Sequence, residues 1–484
     1  MRRRIEITLL MWICTCCLLV ARPLAGQLDS LLSVTPLMRT SEAGIAVYDL
    51  TAGTSVYRHQ ADKLYRPASV EKVITSVTAL SVLGTGYTFR TQLAYTGTIE
   101  QDTLKGDLYV IGGFDPEFME SDLVRLADAA GQAGIRVIKG RLVGDISLMD
   151  SVYWGPGWSW DDTPESFQPY LSPLMLNRGC VDITVSPSAK GKPAKVTVLP
   201  QSDYYELDNR TLSRTPSAGK LRITRNWLTN GNRIILTGNV TGPYTRTLNL
   251  FDSSAFFMQS FWKRLQTRAV EISPDSIAYG VCPDEASRLY IHERPLDAVL
   301  KRALKKSDNL SAEALFYHVG LNASQDKRSI SNADGQRAIR LFMEKSVGIS
   351  PEDFRIADGS GVSLYNYVSP DLLMAYLRYA YAHPEVFRPF YDALPVAGVD
   401  GTLSYRMRGG KAFRNVHAKT GTVTGVSSLA GYVHASNGHL LAFVIINQNV
   451  LKSREARTFQ DRFCEILAYS GGYPFSISGD IRSV

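Results

Sequence analysis

Cysteine is scarce in this chain of 484 residues: six occur, and Cys14, Cys16 and Cys17 fall within the first short apolar stretch. The remaining Cys180, Cys282 and Cys464 are odd in number and far apart, which permits at most one bridge and excludes a disulfide framework or a zinc site. Low-complexity tracts are missing, and 45% of residues are hydrophobic against 20% charged, which excludes disordered and fibrous classes. No Lys/Arg cluster alternates with aromatics, so no nucleic-acid partner is indicated. Nothing in these absences points to a metal or a cofactor, and none is expected.

The N-terminus carries a long apolar run. Met1-Arg2-Arg3-Arg4 is a basic start, Ile7 to Ala21 is apolar, and Arg22-Pro23-Leu24-Ala25-Gly26 offers small residues for cleavage. That is the layout of a secretory signal peptide over residues 1–26, cut near Ala25 or Gly26. A retained anchor wants about 20 apolar residues; this run is shorter and carries Glu6 at its edge. Its cysteines sit inside the run rather than after it, which disfavours lipid attachment. An exported chain with no stable membrane anchor is therefore expected. Loss of Arg2, Arg3, Arg4, Arg22 and Glu6 with the first 25 residues leaves 49 basic and 45 acidic residues, a balance of +4.

At roughly 150 residues per domain the length suggests about three domains. Gly44–Leu50 and Thr54–Tyr57 read as strands around a turn at Thr51-Ala52-Gly53. Val70, Val73, Ile74, Val77 and Leu80 then fall at helical spacing, with Pro67 suited to the start and Gly84 to the stop. Between about Thr88 and Arg288 the pattern changes to short alternating strands, with an Asn230-Gly231 hairpin signal and one helix over Ala255–Arg268. Helices are expected around Leu296–Leu304 and Leu315–Val319. The last hundred residues return to strands at His417–Val423, Leu429–His434 and Leu440–Ile446, the last two joined around Asn437-Gly438. One sheet closed by both chain ends, with a β-rich insertion between, is an α/β arrangement.

Ser69-Val70-Glu71-Lys72 has the form S-x-x-K, and on a helix that offset brings Ser69 and Lys72 to one face. A serine hydroxyl needs a base, and a lysine serves if burial or a second cation makes it neutral. N–H groups at a helix start also suit an oxyanion. Roughly two such matches are expected by chance, and Ser217, Ser260 and Ser324 also begin one, but none of these starts an apolar helix. Ser307-Asp308-Asn309 lies in a polar break, where it reads either as a helix cap or as a hydroxyl and an amide turned to one side. Lys419-Thr420-Gly421, followed by Thr422, lies on a strand. There Lys419 supplies a cation for a carboxylate and a field that lowers the pKa of Lys72, Thr420 a hydroxyl, and Gly421 room for another backbone. Lys72 is expected neutral and Lys419 charged.

Ser-Asp-Asn and Lys-Thr-Gly each have a chance expectation of about a tenth, and the three motifs occur in order. Together they resemble the signature of penicillin-binding proteins and class A β-lactamases. The long spacing from Ser69 to Ser307 resembles the class C low-molecular-mass penicillin-binding proteins, the S13-like D-alanyl-D-alanine carboxypeptidases and endopeptidases. Gly106–Tyr109, Gly112–Pro116, Pro156–Trp160, Asp358-Gly359-Ser360-Gly361 and Ala397–Leu403 agree with that family.

The resemblance implies a serine β-lactamase/transpeptidase-like fold, an antiparallel sheet with helices on both sides, over 27–87 and 290–484. It implies one inserted β-rich domain over 88–104 and 172–289 and another over 105–171. It further implies that Ser69 attacks the penultimate D-alanine carbonyl and Lys72 takes the proton. The Ser69 and Thr422 N–H groups would hold the oxyanion, and Ser307 would return the proton to the leaving amine. Asn309 would hold the peptide amide, and Lys419, Thr420 and Gly421 would frame the terminal carboxylate. The implied partners are peptidoglycan stem peptides, with β-lactam antibiotics as covalent inhibitors, and the implied place is the periplasm or another extracytoplasmic space. Asp161 or Asp162 resembles an acidic position reaching the stem-peptide side chain. One departure stands out: the family pattern after Asp-Gly-Ser-Gly carries an arginine where this chain has Leu364. A β-lactamase-like hydrolase and a non-catalytic peptidoglycan-binding protein are the rival readings.

Overall fold

The structure, a computed structural model, describes residues 23–324 and 329–471. Most of the expected signal segment lies outside the described residues. Its last residues open a helix, Leu24–Val34, so cleavage at Ala25 or Gly26 would fall in that helix's first turn. Leu24, Leu28 and Leu31 are buried with Phe459 and Phe463 of the Ser453–Tyr469 helix. That C-terminal helix adds to the expected elements, which end in strands.

The central sheet has five antiparallel strands, in the order His417–Val423, Gly425–His434, Leu440–Val450, Glu42–Asp49 and Thr54–His59. Both chain ends thus meet in one sheet, with Ile45 opposite Ile445 and Val47 opposite Phe443. Alternation along the strands divides the side chains between two cores. Ala46, Ala430, Val444 and Ile446 face a cluster containing Val73, Leu315 and Leu373, which come from the helices Lys72–Leu83, Asn309–Ala323 and Pro370–Ala382. Ile45, Leu429, Phe443 and Ile445 face the layer formed by the two terminal helices. Burial on both faces explains why Leu440–Ile446 reads as an unbroken apolar run. Each fully buried aliphatic side chain there contributes roughly 1.5–3 kcal/mol.

The inserted region differs from the expected partition. A second five-stranded sheet has the order Ile277–Tyr279, Leu142–Asp145, Leu108–Ile111, Thr88–Tyr95 and Ser287–Pro295. Gln92 pairs with Ile111, and Leu142 with both Leu108 and Ile277, so boundaries at 105 and 171 cut through one sheet. Its core is also shared, since Leu93, Leu126, Ile183, Ile234 and Phe261 belong to one cluster. Strand spacing cannot reveal such sharing, because pairing between distant strands leaves no mark on local periodicity. The region also holds the Glu120–Gln132 helix beside the expected one, which spans Ser253–Thr267. Arg222–Arg225 and Arg233–Val240 pair antiparallel as the Asn230-Gly231 signal indicates, with Asn230 left-handed at φ 53°.

Candidate active site

Ser69 lies on a 3-10 turn, Ala68–Glu71, that runs directly into the Lys72–Leu83 helix. The nucleophile candidate therefore precedes the α-helix rather than standing in it. Ala68 is held left-handed at φ 50°, an uncommon conformation for a residue with a Cβ. The Asp358–Gly361 loop presses on that turn so closely that a Cβ on Gly361 would stand 2.0 Å from the Ala68 carbonyl oxygen. On the other side Ser428 Oγ donates to the Pro67 carbonyl at 2.6 Å and ties the turn to the central sheet.

Lys72 is fully buried, and its Nζ lies 3.0 Å from Ser69 Oγ. It also donates to Asn309 Oδ1 and to the Ser360 carbonyl, each at 2.7 Å. Burial lowers the Lys72 pKa to about 8, against the opposing pull of Asp358, Glu313, Asp308 and Glu71. Glu313 is raised to about 8 and Glu71 well above the usual carboxylate range, chiefly by burial. Asp358 is a hub: one carboxylate oxygen accepts from Gly361 N and Asn366 Nδ2, the other from Trp158 Nε1 and Ser363 N, all at 2.7–2.8 Å.

Ser307-Asp308-Asn309 joins the Leu296–Lys305 helix to the Asn309–Ala323 helix. Asp308 caps the second helix by accepting from Ser311 N at 2.8 Å. Ser307, left-handed at φ 57°, turns its hydroxyl to Lys419 Nζ at 2.8 Å, while Asn309 turns to Lys72. The second amide atom of Asn309, Nδ2, donates to the Phe167 carbonyl at 2.8 Å.

Lys419 is buried and also donates to the Thr420 carbonyl at 2.6 Å. Burial first, and then the charge of Lys72, push its pKa well below the ordinary lysine value. The buried carboxyls crowd around Lys72, and Lys419 has no ion pair among the described residues. Thr420 Oγ1 donates to Thr402 Oγ1 at 2.7 Å. Gly421 is required by packing, since a Cβ there would lie 2.1 Å from Ser428 Oγ and 3.0 Å from Ser69 N. The strand carrying Lys419 to Thr422 thus runs along the Ser69 N–H, with the Thr422 side chain exposed.

Asp161 and Asp162 lie on a 3-10 turn, Trp160–Asp162; the first is exposed, and burial with the neighbouring Asp161 and Glu165 raises the second. Leu364, 38% exposed, donates its N–H to the Gly157 carbonyl at 3.0 Å, so it adjoins the same loop. Of the other S-x-x-K serines, Ser217 sits on an isolated 3-10 turn and Ser260 is buried in a helix. The Lys327 of the fourth match lies outside the described residues. Cys180, Cys282 and Cys464 are buried and unpaired. Among the described residues no group of three or more His, Cys, Asp or Glu is placed to hold a metal ion.

Sequence reasoning missed the Ser360 and Phe167 carbonyls, Thr402, Glu71 and Glu313. Ser360 and Thr402 lie in stretches that agree with the family pattern but carry no assigned role there. Glu313 stands alone as a carboxylate in a helix buried from Asn309 to Gly320, which is a legible anomaly.

Residues 24–469 match the D-Ala-D-Ala carboxypeptidase 3 (S13) family. A D-alanyl-D-alanine carboxypeptidase of Actinomadura sp. (strain R39) is 31% identical over 442 residues, covering 88% of this chain and 80% of that protein. The crystal structure of penicillin binding protein 4 (dacB) from Haemophilus influenzae superposes with a TM-score of 0.80 at 26% identity, covering 92% of this chain and 99% of that one. The same protein complexed with a novel β-lactam superposes at 0.74 with 24% identity, covering 92% of this chain and 100% of that one. The chain belongs to the D-Ala-D-Ala carboxypeptidase 3 (S13) family.

Proposed function

We propose that this serine-type D-alanyl-D-alanine carboxypeptidase cleaves peptidoglycan stem peptides through an acyl-enzyme on Ser69, and that it has endopeptidase activity at the same site. The observation that carries the reading is the pairing of Ser69 Oγ with Lys72 Nζ at 3.0 Å, beside a second pair, Ser307 Oγ with Lys419 Nζ at 2.8 Å. One couple can activate the attacking hydroxyl, and the other can serve the departing amine.

A terminal carboxylate placed against Lys419, with the Thr420 hydroxyl backed by Thr402, supplies the counter-charge that favours an ammonium there. A charge on Lys419 disfavours one on Lys72, so substrate binding drives Lys72 toward its neutral, basic form. Ser69 Oγ then attacks the penultimate carbonyl while its proton passes to Lys72 Nζ. The N–H groups of Ser69 and Thr422 stabilise the oxyanion; one such donor is typically worth about 2.7–4 kcal/mol. The proton moves through Ser307 to the leaving D-alanine, and Asn309 holds the acyl-side amide. Water hydrolyses the ester.

β-Lactams acylate the same serine, a reading supported by the β-lactam complex of the Haemophilus influenzae relative. Residues 1–26 direct the chain to the periplasm or another extracytoplasmic space. No helix among the described residues is long and apolar enough to cross a membrane. The loop bearing Asp161 and Asp162, together with Leu364, meets the stem-peptide side chain.

The experiment measures D-alanine released from a D-alanyl-D-alanine stem peptide by wild type and Ser69→Ala. Release by wild type alone supports the reading. Equal release by both would remove Ser69 from the mechanism.

A further inference from the structure

The two ends of the Asn309 amide face partners of opposite kind. Oδ1 accepts from Lys72 Nζ at 2.7 Å, and Nδ2 donates to the Phe167 carbonyl at 2.8 Å and, at 3.4 Å, to Gln168 Oε1. A backbone carbonyl only accepts, so this contact forces the amide oxygen toward Lys72. Turned over, the amide would set oxygen against oxygen at Phe167 and hydrogens against the lysine's own. The Phe167 carbonyl therefore determines what Lys72 meets.

Phe167 is on the segment Thr163–Gln168, which is fixed from the inserted region. Asn249, fully buried, donates through Nδ2 to the Gln168 carbonyl at 2.8 Å and the Glu165 carbonyl at 3.2 Å. Its backbone N–H donates to the Pro164 carbonyl at 3.0 Å. Arg225, 1% exposed, donates through Nη2 to Thr163 Oγ1 at 2.9 Å and Asn249 Oδ1 at 3.0 Å. Its Nε reaches the Asn249 carbonyl at 2.9 Å and its Nη1 the Gly231 carbonyl at 2.9 Å. None of these acceptors is a carboxylate, and the guanidinium lies 5.8 Å from the centre of the Tyr170 ring. A buried cation satisfied by neutral oxygens alone is a costly device for holding one short segment in place.

We propose that Arg225 and Asn249 are positioning residues for the acylation step: they hold the Phe167 carbonyl against Asn309 Nδ2 and so fix the amide oxygen on Lys72. The inserted region thereby sets the state of a base that belongs to the central domain. The inference rests on the reading of Lys72 as the base for Ser69.

A purely structural staple and a positioning device differ in one readout. An amide oxygen on Lys72 favours the ammonium. An amide that has swung away or turned over does not, so losing the clamp lowers the pH at which Lys72 becomes neutral. The other charged groups facing Lys72, namely Asp358, Glu313, Asp308, Glu71 and Lys419, are left unaltered when Asn249 or Arg225 is replaced.

The decisive variant is Asn249→Asp, which gives Arg225 a carboxylate partner yet replaces the donor to Gln168 and Glu165 with an acceptor. Arg225→Met is its companion. Acylation by a fluorescent penicillin is measured across pH on the full chain, normalised to titrated active sites so that unfolded protein does not count. Asn249→Asp is expected to acylate at least tenfold more slowly per site, with its acid limb displaced to lower pH. Asn309→Ala should show the same displacement, and the double variant Asn249→Asp/Asn309→Ala should be no slower than Asn309→Ala alone. A per-site rate and midpoint equal to wild type in Asn249→Asp overturns the proposal, whatever happens to stability. Lys72→Ala run in parallel separates this from failure of the base assignment, which would appear as near wild-type acylation without Lys72.

Discussion

Burial of Lys72 makes a quantitative demand on the pH dependence of acylation. A lysine lowered from 10.5 to about 8 is neutral in about a tenth of molecules at pH 7, roughly 300-fold more than an unperturbed lysine offers. The difference corresponds to about 3 kcal/mol of stabilisation of the neutral form relative to the charged one. Because the folded value lies below the unshifted one, base is lost as pH falls through about 8 and is fully present above it. The second-order rate constant for acylation, which reports the free enzyme, should therefore rise about tenfold per unit below that point and level off above it. The apparent midpoint belongs to the coupled Lys72–Lys419 pair. Lys72→Ala should acylate about 10²- to 10⁴-fold more slowly, the usual span of general-base catalysis, and lose this limb. Stopped-flow acylation by a fluorescent penicillin between pH 6 and 9.5 measures both. Near wild-type acylation by Lys72→Ala, or a flat profile in the wild type, would remove Lys72 as the base.

Gly421→Ala should slow acylation by about fivefold to 150-fold, because its Cβ displaces either Ser428 Oγ or the strand beside Ser69 N, and overpacking costs typically 1–3 kcal/mol. Acylation rate and melting temperature check it; wild-type acylation would show that the strand does not frame the oxyanion. Leu364 replaces an arginine of the family pattern, and a hydrogen bond to a charged group is worth roughly 1.5–3 kcal/mol. Wild type should then discriminate weakly between stem peptides with and without a side-chain carboxylate, and Leu364→Arg should gain about tenfold to a hundredfold preference for it. A strong wild-type preference unchanged by Leu364→Arg would place that role elsewhere.

Much of the catalytic half was legible because its signals are local. The His417–Val423 strand follows from alternation, and the helix ending at Gly84 from apolar spacing and a residue free to take φ 76°. Ser69, Lys72, Ser307, Asn309 and Lys419 come together as their motif order implies. What escaped is contact between distant segments: the sheet joining Thr88–Tyr95 to Leu108–Ile111 and Ser287–Pro295, and the Phe167 carbonyl on Asn309. A backbone carbonyl has no residue signature, and no spacing rule connects Arg225 to Thr163. The buried carboxyls around Lys72 escaped for a related reason, since Glu313 and Asp358 reach it only through the fold.

Whether Ser69 is the nucleophile can be decided by mass spectrometry of the intact protein and its peptides after incubation with penicillin. A single covalent adduct on the Ser69 peptide, absent in Ser69→Ala and retained in Ser217→Ala and Ser260→Ala, is the predicted result. An adduct that persists in Ser69→Ala would contradict the assignment.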